Sequence, residues 1–164
     1  MLQQLKFKWR DLYAFTIMCL ALAPQAYAGG VVSSYSVMKR ALIDGKRLRV
    51  VGRYAECTTT APDTGLQVRG PDAIAGMDIN NFEIFGKDSS PYGQPYIVTS
   101  FSHLAQQGDQ LVTHYVKMRF FEDGQVRVLT KYYQPRTGQL TDLHDFSCRL
   151  GGHGLGGGAY IYYY

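Results

Sequence analysis

The chain has 164 residues, of which 46% are hydrophobic and 18% charged, with a formal net charge of +4 at pH 7. That length accommodates one domain built on one core. So small a positive balance excludes reading the protein as a nucleic-acid binder on charge alone.

The first 28 residues are patterned as an export signal. Lys6, Lys8 and Arg10 make a basic head, residues 13–23 an apolar run, Pro24 breaks it, and Ala26-Tyr27-Ala28 supplies a small-x-small end. The apolar run is about eleven residues against the roughly twenty that cross a bilayer, so a retained anchor is disfavoured. Cys19 follows Ile17 and Met18, a poor context for a lipidated cysteine. A signal peptide over 1–28, cleaved after Ala28, is expected, leaving a periplasmic or secreted chain with no membrane span. Losing Lys6, Lys8, Arg10 and Asp11 lowers the formal charge from +4 to +2.

Residues 29–34 read as a short lead. Ser34 or Ser36 can cap a helix running to about Asp44, with Tyr35, Met38, Ala41 and Leu42 on one stripe and Lys39 and Arg40 on the other side. Asp44-Gly45 ends it. Residues 47–54 alternate as a strand, residues 57–72 read as a polar loop, and residues 77–85 form a second strand with Phe82 and Ile84 on one face. After a turn-rich stretch over 86–95, strands are expected over 96–103 and 111–121, and a hairpin follows.

At Glu122-Asp123-Gly124 the apolar pattern selects the turn. A two-residue turn would set Met118 opposite Leu129 and Phe120 opposite Arg127, mixing faces. A three-residue loop with Gly124 left-handed pairs Phe120 with Val126, Met118 with Val128, Val116 with Thr130 and His114 with Tyr132, leaving one face apolar. The same register puts Arg119 opposite Arg127 on the outer face, with Lys117 and Lys131 nearby. Like charges across a ladder repel mildly, so this is either a solvated basic face or a place where an anionic partner docks.

Residues 151–158 are a glycine-rich stretch and the chain ends Tyr160-Ile161-Tyr162-Tyr163-Tyr164. Residues 151–164 read as a Gly/Tyr-rich tail after a domain over 29–150. Its tyrosines either catch a partner or return as an edge strand filling the domain's own groove. The expected fold is α+β, with one N-terminal helix packed on a curved antiparallel sheet of about five strands.

Cys57 and Cys148 survive cleavage. Two cysteines in an exported chain most simply form one disulfide, stabilising by about 4 to 5 kcal/mol for a loop of this length. The alternatives are free thiols or a metal site, though two cysteines do not complete a zinc shell. His103, His114, His144 and His153 have no metal-ligand spacing. His103 and His114 lie on neighbouring strands, but no third ligand is evident. Ser100 and Ser102 lack a nucleophile-elbow context, Asp78 and Glu83 form no acid–base pair, and the glycine run lacks the Gly-Lys-Ser/Thr ending of a phosphate loop. No catalytic, metal or cofactor residues are assigned.

The segment Leu42-Ile43-Asp44-Gly45-Lys46-Arg47-Leu48-Arg49-Val50-Val51 before Cys57, the block over 96–121 with its following hairpin, and Asp145-Phe146-Ser147-Cys148-Arg149-Leu150-Gly151-Gly152-His153-Gly154 together resemble the VirK family of small exported bacterial proteins. The resemblance spans residues 34–154. It implies export and an association with virulence, carries over no catalytic residue, and matches the positions of Cys57 and Cys148. The polar insert over 62–72 and the Gly/Tyr-rich end depart from it. The expected function is non-enzymatic binding or interaction with an unknown protein or small ligand, through Lys117, Arg119, Arg127, Lys131, Tyr160, Tyr162, Tyr163 or Tyr164. The alternatives are a small-ligand carrier with its pocket between helix and sheet and, third, a small secreted hydrolase.

Overall fold

The computed structural model describes residues 30–151 and 156–164; the predicted signal segment and His153 lie outside the described residues. After β1 (Val31–Val32), helix α1 runs Tyr35–Ile43. Ser34 caps it, its hydroxyl accepting from the Val37 N–H at 3.4 Å. Gly45, at φ 71°, turns the chain away. Tyr35, Met38, Ala41 and Leu42 are buried, the stripe expected from their spacing.

The strands that follow are β2 (Leu48–Arg53), β3 (Thr58–Thr60), β4 (Gln67–Arg69), β5 (Ile74–Asp78), β6 (Phe82–Phe85), β7 (Tyr96–Gln107), β8 (Gln110–Phe121), β9 (Gln125–Tyr133), β10 (Leu140–Gly151) and β11 (Gly158–Tyr163). The expectation of about five strands is wrong: eleven join one sheet, in the order β5-β2-β11-β10-β9-β8-β7-β6, with β1 on β11 and β3 and β4 beside β10. β3 and β4 arise in the segment read as a loop, because their threonines and glutamine do not alternate in hydropathy. The strand expected over 77–85 is two strands, parted at Ile79–Asn81. β10 went unassigned because its first half is exposed on both faces.

That parting shows how the sheet curves. β5 and β6 sit at opposite ends of the strand order. A flat sheet would hold them roughly 34 Å apart, but three residues between Asp78 and Phe82 span at most about 15 Å. The sheet is therefore curled, with its outer strands brought back toward each other.

The hairpin register is the three-residue one: Phe120 pairs with Val126, Met118 with Val128, Val116 with Thr130 and His114 with Tyr132. Gly124 takes φ 79°. The inner face so formed joins the main core. There Ile97, Met118, Phe120, Val126, Val128 and Phe146 pack with Met38 and Leu42 of α1 and Ile161 of β11.

Residues 158–163 are not a tail. β11 lies between β2 and β10, antiparallel to the first and parallel to the second, with Leu150 beside Ala159 and Gly151 beside Tyr160. The glycines serve close packing. A Cβ on Gly151 would stand 2.5 Å from the Tyr160 ring, one on Gly157 would stand 2.6 Å from the Arg149 carbonyl oxygen, and one on Gly158 would collide with Cys57 Sγ. Cys57 and Cys148 are bonded 91 residues apart and are 2% and 4% exposed, so the disulfide ties the start of β3 to β10 inside the core.

Candidate functional site

A cleft of about 820 Å³ opens between α1 and the end of β11. The helix stripe that feeds the core turns its opposite side, Val37 and Arg40, toward this space, and Ala41 lies at its edge. The α1–β2 turn adds Lys46 and Arg47, and β11 adds Tyr163. Tyr163 packs on the core and beneath Gly30, where a Cβ would stand 3.3 Å from its ring. Three cationic side chains and one acidic side chain, Asp44, thus line the cleft, and none of the three cations is in an ion pair among the described residues. The volume falls within the about 300–1,000 Å³ typical of small-molecule pockets. A pocket between helix and sheet is an alternative reading of the sequence, and Tyr163 and Tyr164 are among its candidate residues, but Arg40, Lys46 and Arg47 are not. Arg40 was legible as facing away from the core, but nothing local places it beside Tyr163.

Tyr164 also lines the cleft, whereas Tyr160 and Tyr162 are held within the fold. Tyr164 lies under the Arg49 guanidinium, 5.1 Å from its ring centroid, and donates its N–H to the Arg47 carbonyl at 3.3 Å. Arg49 in turn bonds Asp78 at 2.7 Å and holds its carboxyl below the usual range. Tyr162 pairs with Arg49 and Val31 across the ladders and is half-buried. Tyr160 donates its hydroxyl to Glu56, and Arg53 stands over its ring at 5.3 Å.

On the outer face, Arg119 does stand opposite Arg127. Each has a partner within the chain: Arg127 bonds Asp145 at 2.8 Å, and Arg119 lies 5.7 Å from the Tyr92 ring centroid. Lys117 and Lys131 have no ion pair among the described residues. Across the ladders Ser100 pairs with Lys117, Ser102 with Tyr115 and Glu83 with Val98.

The inner face carries His103, His114 and His144. His103 pairs with His114, their ring centroids 5.2 Å apart. His114 stacks on Tyr132 at 4.4 Å, and His144 bonds Asp142 at 3.0 Å one strand further on. Burial, then His103, pushes the His114 pKa down. Among the described residues no three or more His, Cys, Asp or Glu side chains converge to hold a metal ion, and no helix is long and apolar enough to cross a membrane.

The class defined here is a small α+β domain: a helix seated on a curled sheet, one buried disulfide, and a cationic cleft beside the C-terminal strand. The VirK protein family model matches residues 31–138, and the chain belongs to that family. Among solved structures it is similar to lpg1832, a VirK family protein from Legionella pneumophila, with a TM-score of 0.63 and 16% identity, covering 80% of this chain and 98% of that one. The search of curated proteins found no match.

Proposed function

We propose that this protein is an exported, non-enzymatic binding protein that takes a small anionic, partly apolar ligand in the cleft between α1 and β11. The observation carrying this reading is the cleft lining: Arg40, Lys46 and Arg47 with one acidic side chain, Asp44, beside Val37, Ala41, Tyr163 and Tyr164. Such a lining would attract a carboxylate or sulfonate while giving its apolar part a wall to rest on. Export is supported by the pattern of residues 1–28 and by the disulfide, which persists in oxidising compartments. A second reading, docking of an acidic protein on the outer face of β8 and β9, draws on Lys117 and Lys131, which have no ion pair among the described residues.

The test is titration of the periplasmic protein with 8-anilino-1-naphthalenesulfonate, with a medium-chain fatty acid as competitor. One saturable site that the fatty acid empties, weakened about tenfold by Arg40→Glu, supports the cleft reading. Absence of saturable binding, or binding unchanged in Arg40→Glu and Arg47→Glu, overturns it.

A further inference from the structure

β7 pairs with β6 only over Tyr96–Thr99, but with β8 along its whole length, Tyr96 to Gln107. From Ser100 to Gln107 its other edge meets no strand among the described residues. In an antiparallel ladder, alternate residues direct their N–H and C=O to opposite sides. Half of this stretch therefore presents backbone donors and acceptors to solvent, and almost every residue in it is exposed.

Exposed edges are normally protected by charge, proline or a bulge. This one is not. Ser100-Phe101-Ser102-His103-Leu104-Ala105-Gln106-Gln107 contains no Lys, Arg, Asp, Glu or Pro, and Phe101 and Leu104 are 42% and 61% exposed. The opposite margin of the same projecting sheet, the first half of β10, carries charged side chains, Asp142 and Asp145, of the kind that protect an edge. The two margins are thus treated differently, and only the β7 margin is left open.

We propose that this chain forms a two-fold dimer by antiparallel pairing of the β7 edge, Ser100 to Gln107, with the same edge of a second copy. A second copy fits because the stretch is self-complementary in charge: two uncharged edges meet without repulsion, whereas nothing on this edge selects an acidic or basic partner. The two-fold axis stands normal to the sheet, so like faces adjoin only if a residue pairs with its own copy. That sets the axis at His103 or Leu104, the middle of the stretch. The pairing continues the β7–β10 sheet across the interface, satisfies the open backbone groups, and brings the exposed Phe101 and Leu104 of both copies against the partner strand. An interface of one strand pair is smaller than that of a standard stable complex, so the dimer is expected to be weak and reversible. The dimer is independent of the cleft, which lies at α1.

Sedimentation velocity of the full mature chain over a micromolar concentration series tests this. The expected result is a reversible monomer–dimer equilibrium. Leu104→Lys sets like charges near the axis and weakens it about tenfold or more, while Leu143→Lys, on the β10 margin, leaves it unchanged. Hydrogen exchange of the unsubstituted chain at low and high concentration needs no variant: protection that rises with concentration within 100–107 supports the pairing. A monomer at every concentration, a dimer indifferent to Leu104→Lys, or exchange at 100–107 independent of concentration overturns it.

Discussion

The hydroxyl of Tyr160 donates to Oε2 of Glu56 at 2.5 Å across 104 residues of sequence, and the N–H groups of Gly157 and Gly158 donate to the same oxygen at 3.3 Å each. One carboxylate therefore gathers the start of β11 against the turn before Cys57, next to the disulfide.

Acid should loosen this junction. The Tyr160 hydroxyl chiefly, then the two glycine N–H groups and Arg53, hold the Glu56 carboxyl below its ordinary pKa, against a smaller opposing effect of burial. The folded state thus binds this proton less tightly than the unfolded chain. Its stabilisation is present above the ordinary carboxylate pKa and is lost as pH falls through the depressed folded value. Asp78, held down by Arg49, titrates in the same sense. Urea midpoints measured from about pH 6 to pH 2 should fall with pH, and Glu56→Gln should flatten part of that slope while Asp78 keeps the rest. Tyr160→Phe should cost about 1 kcal/mol at neutral pH. A Glu56→Gln profile parallel to the parent's would rule out this role for the carboxylate.

Neighbouring glycines in the low-complexity stretch should differ sharply. Gly158 has φ 82° and its added Cβ would meet Cys57 Sγ, whereas Gly156 has nothing within 4 Å. Gly158→Ala should destabilise by about 2 kcal/mol or more, and Gly156→Ala by less than about 0.5 kcal/mol. Thermal unfolding of the two variants side by side checks this. Equal losses would mean that the stretch acts through chain flexibility and not through close packing.

His114 should make the protein sensitive to mild acid. Its Nε2 is buried without a partner among the described residues, and burial followed by His103 lowers its pKa. The unfolded chain then takes up the proton first, so this contribution is full above the ordinary histidine pKa of about 6.5 and is lost as pH falls through the lower folded value. His114→Phe keeps a ring against Tyr132 and removes the orphaned nitrogen. It should leave stability at pH 7 unchanged or raised and flatten the profile just below about pH 6.5. Proton NMR should show His114 titrating below the ordinary histidine value of about 6.5, and His103→Gln should move the His114 midpoint upward. A His114 midpoint at or above the ordinary value would contradict the burial argument.

Several features follow from short-range chemistry and were legible in the residues alone. Ser34 caps a helix whose stripe Tyr35, Met38, Ala41, Leu42 is buried because its spacing matches the helical period. The hairpin register follows from Gly124 and from keeping one face apolar. Cys57 and Cys148 are the only two cysteines beyond residue 28, which made their pairing legible.

Tertiary structure alone decided the rest. Thr58 to Thr60 became a strand because β10 and β4 supply its partners, not because of any alternation of its own. The Arg119–Arg127 pair was read correctly in register, but only the fold brought Asp145 and Tyr92 beside it. The cleft exists because β11 returns between β2 and β10 and sets Tyr163 beside Arg40 and Arg47. A run of glycines reads the same whether it is a loose tether or a row of positions where no Cβ fits. What distinguishes the two is the neighbour each glycine meets, and those neighbours, Cys57 and Arg149 among them, are brought there by long-range strand pairing that local pattern does not encode.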